Sequence, residues 1–421
     1  VRIGPLLINV DYRQRMALLT VAQAARRLGV KPPTLYAYVS RGVLQSTRAP
    51  DGRSSLFDAD DIERLARRGR PRRSSRTASL DIVIETSITE IDHRGIRLRG
   101  HPLDRLATHH SFEEVAVLLW TGTLPSPTAG TVTWPADPAA SSSSDPAGPR
   151  DVIDRFMVAT VAAGAADPDR RHREPAATAR VGPRLVGAMV DALPVLGDGR
   201  TPRLHLPGRD PVRGSVAGRL WTRLSPGRPP AGAVATLNTA LVLLADHELA
   251  ASTLAVRVAA CTRADPYAAV LAGLAAVSGP LHGSASRWVR RMLRDAQATS
   301  ADAAVLEARR ALGHVPGFGH FLYPNGDPRA RVLLAAARHT WPGSKRWLHV
   351  DATIAAAHRR AGLAPNVDLA LAAVGHVAGF DEEAGDRIFA IARTAGWLAH
   401  AFEEYQEAPL RFRPRAQFRD P

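Results

Sequence analysis

Six short segments of this chain hold the side chains that could do chemistry. They are Ala245-Asp246-His247-Glu248, Ser278 to Ala285 with His282 inside it, Val315 to His320 running on to Asp327-Pro328-Arg329, Pro365-Asn366-Val367-Asp368, Ala392 to Trp397 with Arg393, and Arg411-Phe412-Arg413-Pro414-Arg415. Histidine and aspartate are proton carriers, and arginine presents a fixed fork of donors that matches a carboxylate. The segments are loops or helix ends, where a helical protein displays reactive groups on a rigid frame. Gly317-Phe318-Gly319-His320 is not a dinucleotide loop, because no third glycine follows and no strand pattern precedes it. The one cysteine, Cys261, rules out an internal disulfide framework and a cysteine-based zinc site, which fits a reducing compartment. No metal is expected.

The elements that must position these groups are mostly helical. The chain has 421 residues, 45% of them hydrophobic, enough for a sizeable core in two or three domains. Aromatic residues are only 5% while Ala, Leu and Arg dominate, a balance that favours helix and disfavours all-β architectures. Spacing and caps predict helices at Ala233 to Ala245, at Pro266 to Val277 after the cap Asp265, at Ser286 to Ala296, at Ala301 to Leu312 and from Asp368 onward. Ser111 with Glu114 is a capping box leading into Val115 to Trp120. Ile82 to Leu98, with Ile84, Thr86, Ile88 and Glu90 alternating and a turn near Asp92 to Gly95, predicts a small β-meander. Pro125 to Pro149, rich in Pro, Ser, Ala and Thr, is expected to be a flexible insertion. No run of about 18 apolar residues occurs, the longest candidate, Ala231 to Cys261, being broken by Asp246, His247 and Glu248. Val1 to Arg15 lacks the short apolar core of a signal peptide, so a cytoplasmic location with no membrane contact is expected. The opening Val1 is expected to be an alternative start codon, with Met16 as the other candidate start.

The net charge of +15 is concentrated at one end. Residues 1 to 75 carry fifteen Arg and Lys against six acids, the electrostatic pattern of a nucleic-acid reader or of an Arg-rich coding bias. Thr20 with Gln23 forms a capping box, Val21, Ala24, Ala25 and Leu28 share one helix face, and Gly29 ends it. Pro32 and Pro33 start a second helix with Leu35 and Val39 inward, ending at Gly42. An Asp51-Gly52 turn then lies between short arms in Val43 to Phe57, and Asp58 with Asp61 opens a third helix through Leu65. Residues 18 to 68 resemble the DNA-binding module of MerR-type regulators, in Thr-Val-Ala-Gln-Ala-Ala-Arg-Arg-Leu-Gly-Val and Thr-Leu-Tyr-Ala-Tyr-Val-Ser-Arg-Gly. By that resemblance Thr34, Tyr36, Tyr38 and Arg41 face duplex DNA, with Arg48 and Arg53 reaching phosphates from the wing. A module used only for protein contacts is the other reading. Residues 69 to 79 form a basic linker.

From Leu80 to Phe418 the six segments, in their order and separations, resemble citrate synthase. The resemblance implies a mainly α, two-domain helical fold with a small β-meander, preceded by the winged helix-turn-helix. The large domain would span 80–286 plus 392–421 and the small domain 287–391, with the site in the cleft between them. It implies Claisen condensation of acetyl-CoA with oxaloacetate and hydrolysis of citryl-CoA, both reactants being substrates and no cofactor being needed. Asp368 would be the base, His282 the donor to the enol oxygen and His320 the group polarising the ketone. His247, Arg329, Arg393 and Arg413 would bind oxaloacetate, Arg413 from the neighbouring subunit of a homodimer. The CoA adenine would pack on the backbone of Val315, Pro316, Gly317, Phe318 and Gly319. His282 lies just before a helix, which favours a neutral imidazole.

The chain departs from the family pattern at Ser284, where a second Gly is common, and at Phe321 to Asn325, which lack the usual basic residue. Gly130 to Thr201 matches poorly, so 2-methylcitrate synthase acting on propionyl-CoA stays open. A transcription regulator whose citrate-synthase-like body senses a metabolite is a further alternative, although such a sensor need not keep Asp368, His282 and His320.

Overall fold

In the computed structural model, which describes residues 18–30, 32–40, 44, 46–49, 55–59, 61–62, 65, 83–92, 95–126, 132, 134, 151–173, 175–279, 282–283, 285–324 and 326–413, Thr20 and Gln23 form the expected capping box: Gln23 N–H donates to Thr20 Oγ1 and Thr20 N–H to Gln23 Oε1. Helix α1 (Val21–Leu28) then ends at Gly29, whose φ of 63° lies in the left-handed region that favours glycine. Helix α2 (Pro32–Ser40) follows. Strands β2 (Ser46–Arg48) and β3 (Ser55–Asp58) are the arms of the wing. A strand the sequence did not suggest, β1 (Leu18–Thr20), pairs with the other edge of β3, giving an antiparallel sheet ordered β1-β3-β2. Asp58 Oδ1 accepts from Asp61 N–H at 3.2 Å, and Ala59, Asp61, Ile62 and Leu65 are helical, as the cap predicts. Ala24, Ala25, Leu35, Leu44, Phe57 and Ile62 make a small core of their own. This unit ends at Ile84 and a second begins at Glu85. The Asp51-Gly52 turn and the 69–79 linker lie outside the described residues.

The second unit opens with the meander, shorter than the alternation predicts. Its strands are β4 (Thr89–Asp92), β5 (Gly95–Leu98) and β6 (His101–Pro102), each antiparallel to the next. The expected strand at Ile84 to Ile88 is absent because that backbone is held elsewhere. Thr86 Oγ1 donates to Glu403 Oε2 at 2.8 Å, and Ser87 donates through N–H and Oγ to Glu403 Oε1, both at 2.9 Å.

Helices follow: α3 (Leu103–His109), α4 (Phe112–Thr121), α5 (Val152–Ala165), α6 (Pro175–Asp191), α7 (Val216–Leu224), α8 (Ala233–Leu244), α9 (Ala251–Cys261), α10 (Pro266–Val277), α11 (Ala285–Ala298), α12 (Ala301–Leu312), α13 (Pro328–Thr340), α14 (Trp347–Ala361), α15 (Val367–Ala378) and α16 (Ala384–Glu404). The capping side chains predicted at Ser111 and Asp265 are in place. Helix α16 is buried along most of its length and packs on α4, α6, α8, α9 and α10. The Pro125 to Pro149 segment is not wholly a surface insertion. Trp134 in it is buried, stacks on Trp120 at 5.5 Å, meets Phe112 edge-on, and its carbonyl accepts from Arg219. An indole of that area is stabilised by burial regardless of its Pro- and Ser-rich neighbours. Among the described residues no helix is long and apolar enough to cross a membrane.

Candidate active site

Helix α8 stops at Leu244 and delivers Asp246 and His247 into the interior. The stop is fixed by α16, where Gly396 N–H donates to Ala245 O at 3.0 Å. A Cβ on Gly396 would lie 2.3 Å from Asp246 Oδ1, so only glycine permits this approach. Asp246 is fully buried, and its Oδ2 accepts from Thr89 Oγ1 at 2.5 Å and from His400 Nε2 at 3.4 Å. Arg257 Nε donates to His400 Nδ1 at 3.0 Å, which leaves the His400 proton on Nε2, facing Asp246. Burial alone would push the Asp246 carboxyl up, yet His400, Arg393 and Thr89 together hold it below the usual range. His247 is buried beside it, its Nε2 2.7 Å from Tyr323 Oη. Burial, then the charges of Arg329 and Arg393, push the His247 pKa far down, so the ring is neutral.

A second pair of segments is tied together by one residue. Asn366 Oδ1 caps α15, accepting from Asp368 N–H at 3.0 Å and Leu369 N–H at 3.3 Å. Its backbone N–H donates to Gly317 O at 2.9 Å and its Nδ2 to Gly319 O at 3.1 Å, while Gly319 N–H reaches Ala364 O. The Val315 to Gly319 loop is thereby locked against α15. Gly317 has φ 81°, and a Cβ there would come within 2.6 Å of Val289. Val315, Pro316, Gly317 and Phe318 are buried and Gly319 is half-buried.

That loop delivers His320. Leu322 N–H donates to His320 Nδ1 at 3.2 Å, so the neutral ring carries its proton on Nε2. Burial and then Arg329 push its pKa down. The ring stands perpendicular to His247 at 5.3 Å and tilts over Tyr323 at 4.8 Å. Asp327 caps α13 and holds Arg329 through Nε at 3.0 Å and Nη2 at 2.8 Å, and it also accepts from Val367 N–H at 3.0 Å. Arg329 is buried, with its guanidinium 5.7 Å from the Tyr323 ring.

Asp368 is the second residue of α15. Among the described residues its carboxylate accepts no hydrogen bond. Burial pushes its pKa up, and Arg329 and Arg393 oppose this only in part. Arg393, buried in α16, donates through Nε to Leu244 O at 2.8 Å and stands 4.9 Å over Phe389. Burial lowers its pKa to about 10, against the pull of Asp246. His282 Nε2 is 2.8 Å from Ser252 Oγ, and burial together with Arg393 pushes its pKa down. These causes of neutrality add to the helix end expected from sequence.

His247, His282, His320, Arg329, Asp368 and Arg393 are therefore linked by contact or by field in one site, although the first and last lie 146 positions apart in the sequence. Arg413 does not join them within this chain: it is exposed beyond α16, where Arg411 pairs instead with the buried Glu404 at 2.6 Å. Sequence reasoning passed over Ser252, Tyr323, Asp327 and Asn366 as functional residues. Asp327 and Asn366 carried the signal of helix caps. Tyr323 stood three places after His320, and Ser252 gave no signal. In the basic unit Tyr36 and Arg48 are exposed and Thr34 is half-buried. Tyr38, expected to face DNA, rests half-buried on the small core, where Leu35 and Val39 also turn. Arg41 and Arg53 lie outside the described residues.

Residues 80–415 match the family described as Citrate synthase, C-terminal domain. The chain belongs to the citrate synthase family. Residues 18–70 match a helix-turn-helix domain. Among curated relatives of this family member, Citrate synthase 2 of Bacillus subtilis is 31% identical over 366 residues, 82% of this chain and 93% of the relative. The 2-methylcitrate synthase of Mycobacterium tuberculosis is 29% identical over 348 residues, 77% and 85% of the two chains. The crystal structure of citrate synthase from Pyrobaculum aerophilum superposes with a TM-score of 0.66 at 24% identity, covering 90% of this chain and 95% of that one. The ternary complex of carboxymethyl coenzyme A and oxaloacetate with the Thermoplasma acidophilum citrate synthase gives 0.65 at 24% identity, covering 81% and 95%. These likenesses establish the mainly helical citrate synthase fold and place the chain among citrate and 2-methylcitrate synthase enzymes.

Proposed function

We propose that the protein is a citrate synthase, condensing acetyl-CoA with oxaloacetate and hydrolysing citryl-CoA to citrate and CoA. The observation that carries this reading is the Asp368 carboxyl: raised by burial, free of hydrogen bonds among the described residues, and within the field of Arg329 and Arg393. A base for a weakly acidic methyl group needs that setting, since a raised pKa strengthens the base. Asp368 takes the proton from the acetyl methyl. With Ser252 Oγ–H donating to Nε2, the His282 proton lies on Nδ1 and hydrogen-bonds the thioester oxygen as the enol forms. The methyl carbon then attacks the oxaloacetate ketone, whose developing alkoxide is stabilised by the hydrogen bond from His320 Nε2–H. Arg329, Arg393 and Arg413 of the partner subunit pair with the two carboxylates, and His247 adds a contact. Water then cleaves the thioester.

In the same reading, the Val315 to Gly319 backbone receives the CoA adenine, and the residues divide into a large domain (80–286 with 392–421) and a small one (287–391) that close on the substrates. The measurement is release of free CoA that depends on oxaloacetate, with acetyl-CoA expected to exceed propionyl-CoA in kcat/KM. The reverse order reassigns the protein as a 2-methylcitrate synthase, which the M. tuberculosis relative keeps in view. No release from a folded protein that still binds oxaloacetate favours a metabolite sensor.

The helix-turn-helix match and the exposed Tyr36 and Arg48 support a second activity, binding of duplex DNA by the N-terminal unit. Phosphate contacts dominate such binding, so affinity should fall steeply with salt, and Arg48→Ala should lower the slope of log K on log salt by about one. Binding that ignores salt, or none at low salt, supports a protein-contact module.

A further inference from the structure

Behind Arg329, a cavity of about 300 Å³ opens between β5, the start of α3, the end of α8 and the start of α13. That volume is at the lower end of small-molecule sites (~300–1,000 Å³). Its floor is apolar: Ile96, Leu103 and Leu243 are buried there and Val332 is half-buried. Its rim is cationic. Arg97 is shared with Glu90 and Asp92 at 3.5 Å each, but Arg105 and Arg331 have no hydrogen-bond or ion-pair partner for their guanidinium groups among the described residues. Asp104 is the one acid in the lining.

Two guanidinium groups free of acidic partners, converging on an apolar pocket from different elements, are matched by a dianionic head on a ring-sized apolar body. A phosphomonoester carries that charge on one tetrahedral centre, whereas a monocarboxylate carries half of it. We propose that this cavity binds a small phosphomonoester with an apolar ring, and that the ligand acts on the catalytic site through Arg329, which is common to both. Arg329 follows Pro328 at the start of α13, and its guanidinium is already held by Asp327. A dianion bound beside it draws on the same positive charge that a dicarboxylate substrate needs, so the ligand weakens oxaloacetate binding. By linkage, oxaloacetate weakens the ligand by the same factor. The binding claim stands on the cavity alone, and only the coupling rests on the proposed function.

The test is calorimetric titration of the full-length protein with 1-naphthyl phosphate, with 1-naphthoate as the monoanionic control. Sub-millimolar binding is expected, weaker for naphthoate, and Arg105→Ala or Arg331→Ala should each cost about tenfold, the size of a charge-assisted contact. Both side chains are exposed, so the melting temperature should hold and loss of fold would not mimic loss of site. Saturating oxaloacetate should raise the Kd of naphthyl phosphate to a finite plateau. Absence of binding, or affinity unchanged in both variants, overturns the site. A Kd that climbs with oxaloacetate without a plateau places the probe in the catalytic cleft and overturns it too. If oxaloacetate does not bind at all, the proposed function fails while the variants still decide the cavity.

Discussion

The backbone N–H of Leu322 donates to Nδ1 of His320 at 3.2 Å and so fixes the tautomer of the imidazole. The ring can then act only as an Nε2–H donor, and burial beside Arg329 keeps it neutral by pushing its pKa down. Long-range proton–nitrogen NMR should show the Nε2-protonated form throughout the neutral range. His320→Ala should lower kcat by about 10²–10³, the usual cost of one donor at a developing oxyanion. An Nδ1-protonated ring would remove His320 from that role.

For Asp368 the expected loss on substitution to Asn is about 10²–10⁴ in turnover, the range for a general base. Oxaloacetate affinity should move the other way. Arg329 and Arg393 lower the Asp368 pKa, so its charge competes with the substrate's carboxylates for theirs, and Asp368→Asn should leave that Kd unchanged or tighten it. Since burial raises the Asp368 pKa, the acid limb of the kcat profile should lie above an ordinary carboxylate value and vanish in the variant. Calorimetry and a pH series separate these outcomes from simple unfolding.

What the sequence made legible follows from locality. Helix α10 matches its expectation at both ends because Asp265 caps it and Pro266 suits its first position, and α12 runs from the Ser300 cap to Gly313 at φ 76°. Helix α9 begins after Ala250 and α14 after Arg346, neither with a side-chain cap, and neither announced itself. The chemical groups were legible because each sits in a contiguous segment. Their supports were not. The His247–Tyr323 hydrogen bond spans 76 positions and His282–Ser252 spans 30, and nothing in local spacing brings those partners together.

Glu113 predicts a pH dependence of stability away from the site. Its Oε1 accepts from Val216 N–H at 2.6 Å, its Oε2 is buried without a partner, and burial pushes its pKa up to about 7. The folded state therefore holds this proton more tightly than the unfolded chain does. The resulting stabilisation is full below the unfolded value of 4.5 and is lost as pH rises through about 7. Glu114 works the opposite way and below this window: hydrogen bonds from His110 and Arg209 hold its pKa near 2, so its stabilisation is present above the unfolded value of 4.5 and is lost as pH falls from there through about 2. Denaturant unfolding at pH 5 and pH 8 should show wild type losing stability relative to Glu113→Gln by roughly 3 kcal/mol at most. Parallel curves for the two proteins would show that Glu113 does not titrate there.

Arg413 carries the prediction about assembly. It is exposed within its own chain while Arg411 is anchored on Glu404, so the Arg-Pro-Arg run leaves α16 from a fixed point with Arg413 unengaged by the site of its own chain. If it completes the site of a second copy, each catalytic centre is built from two chains. Neither an Asp368→Ala nor an Arg413→Ala homodimer should then turn over. In a mixed dimer, the chain with intact Asp368 receives intact Arg413 from its partner, and the other site carries both defects. With random re-association of equal amounts, half the dimers are mixed and half their sites work, so about a quarter of wild-type activity should return from two inactive preparations. Mass-tagged chains establish that heterodimers form. If they form and no activity returns, Arg413 does not act across an interface, and the dicarboxylate must be held by Arg329 and Arg393 within one chain.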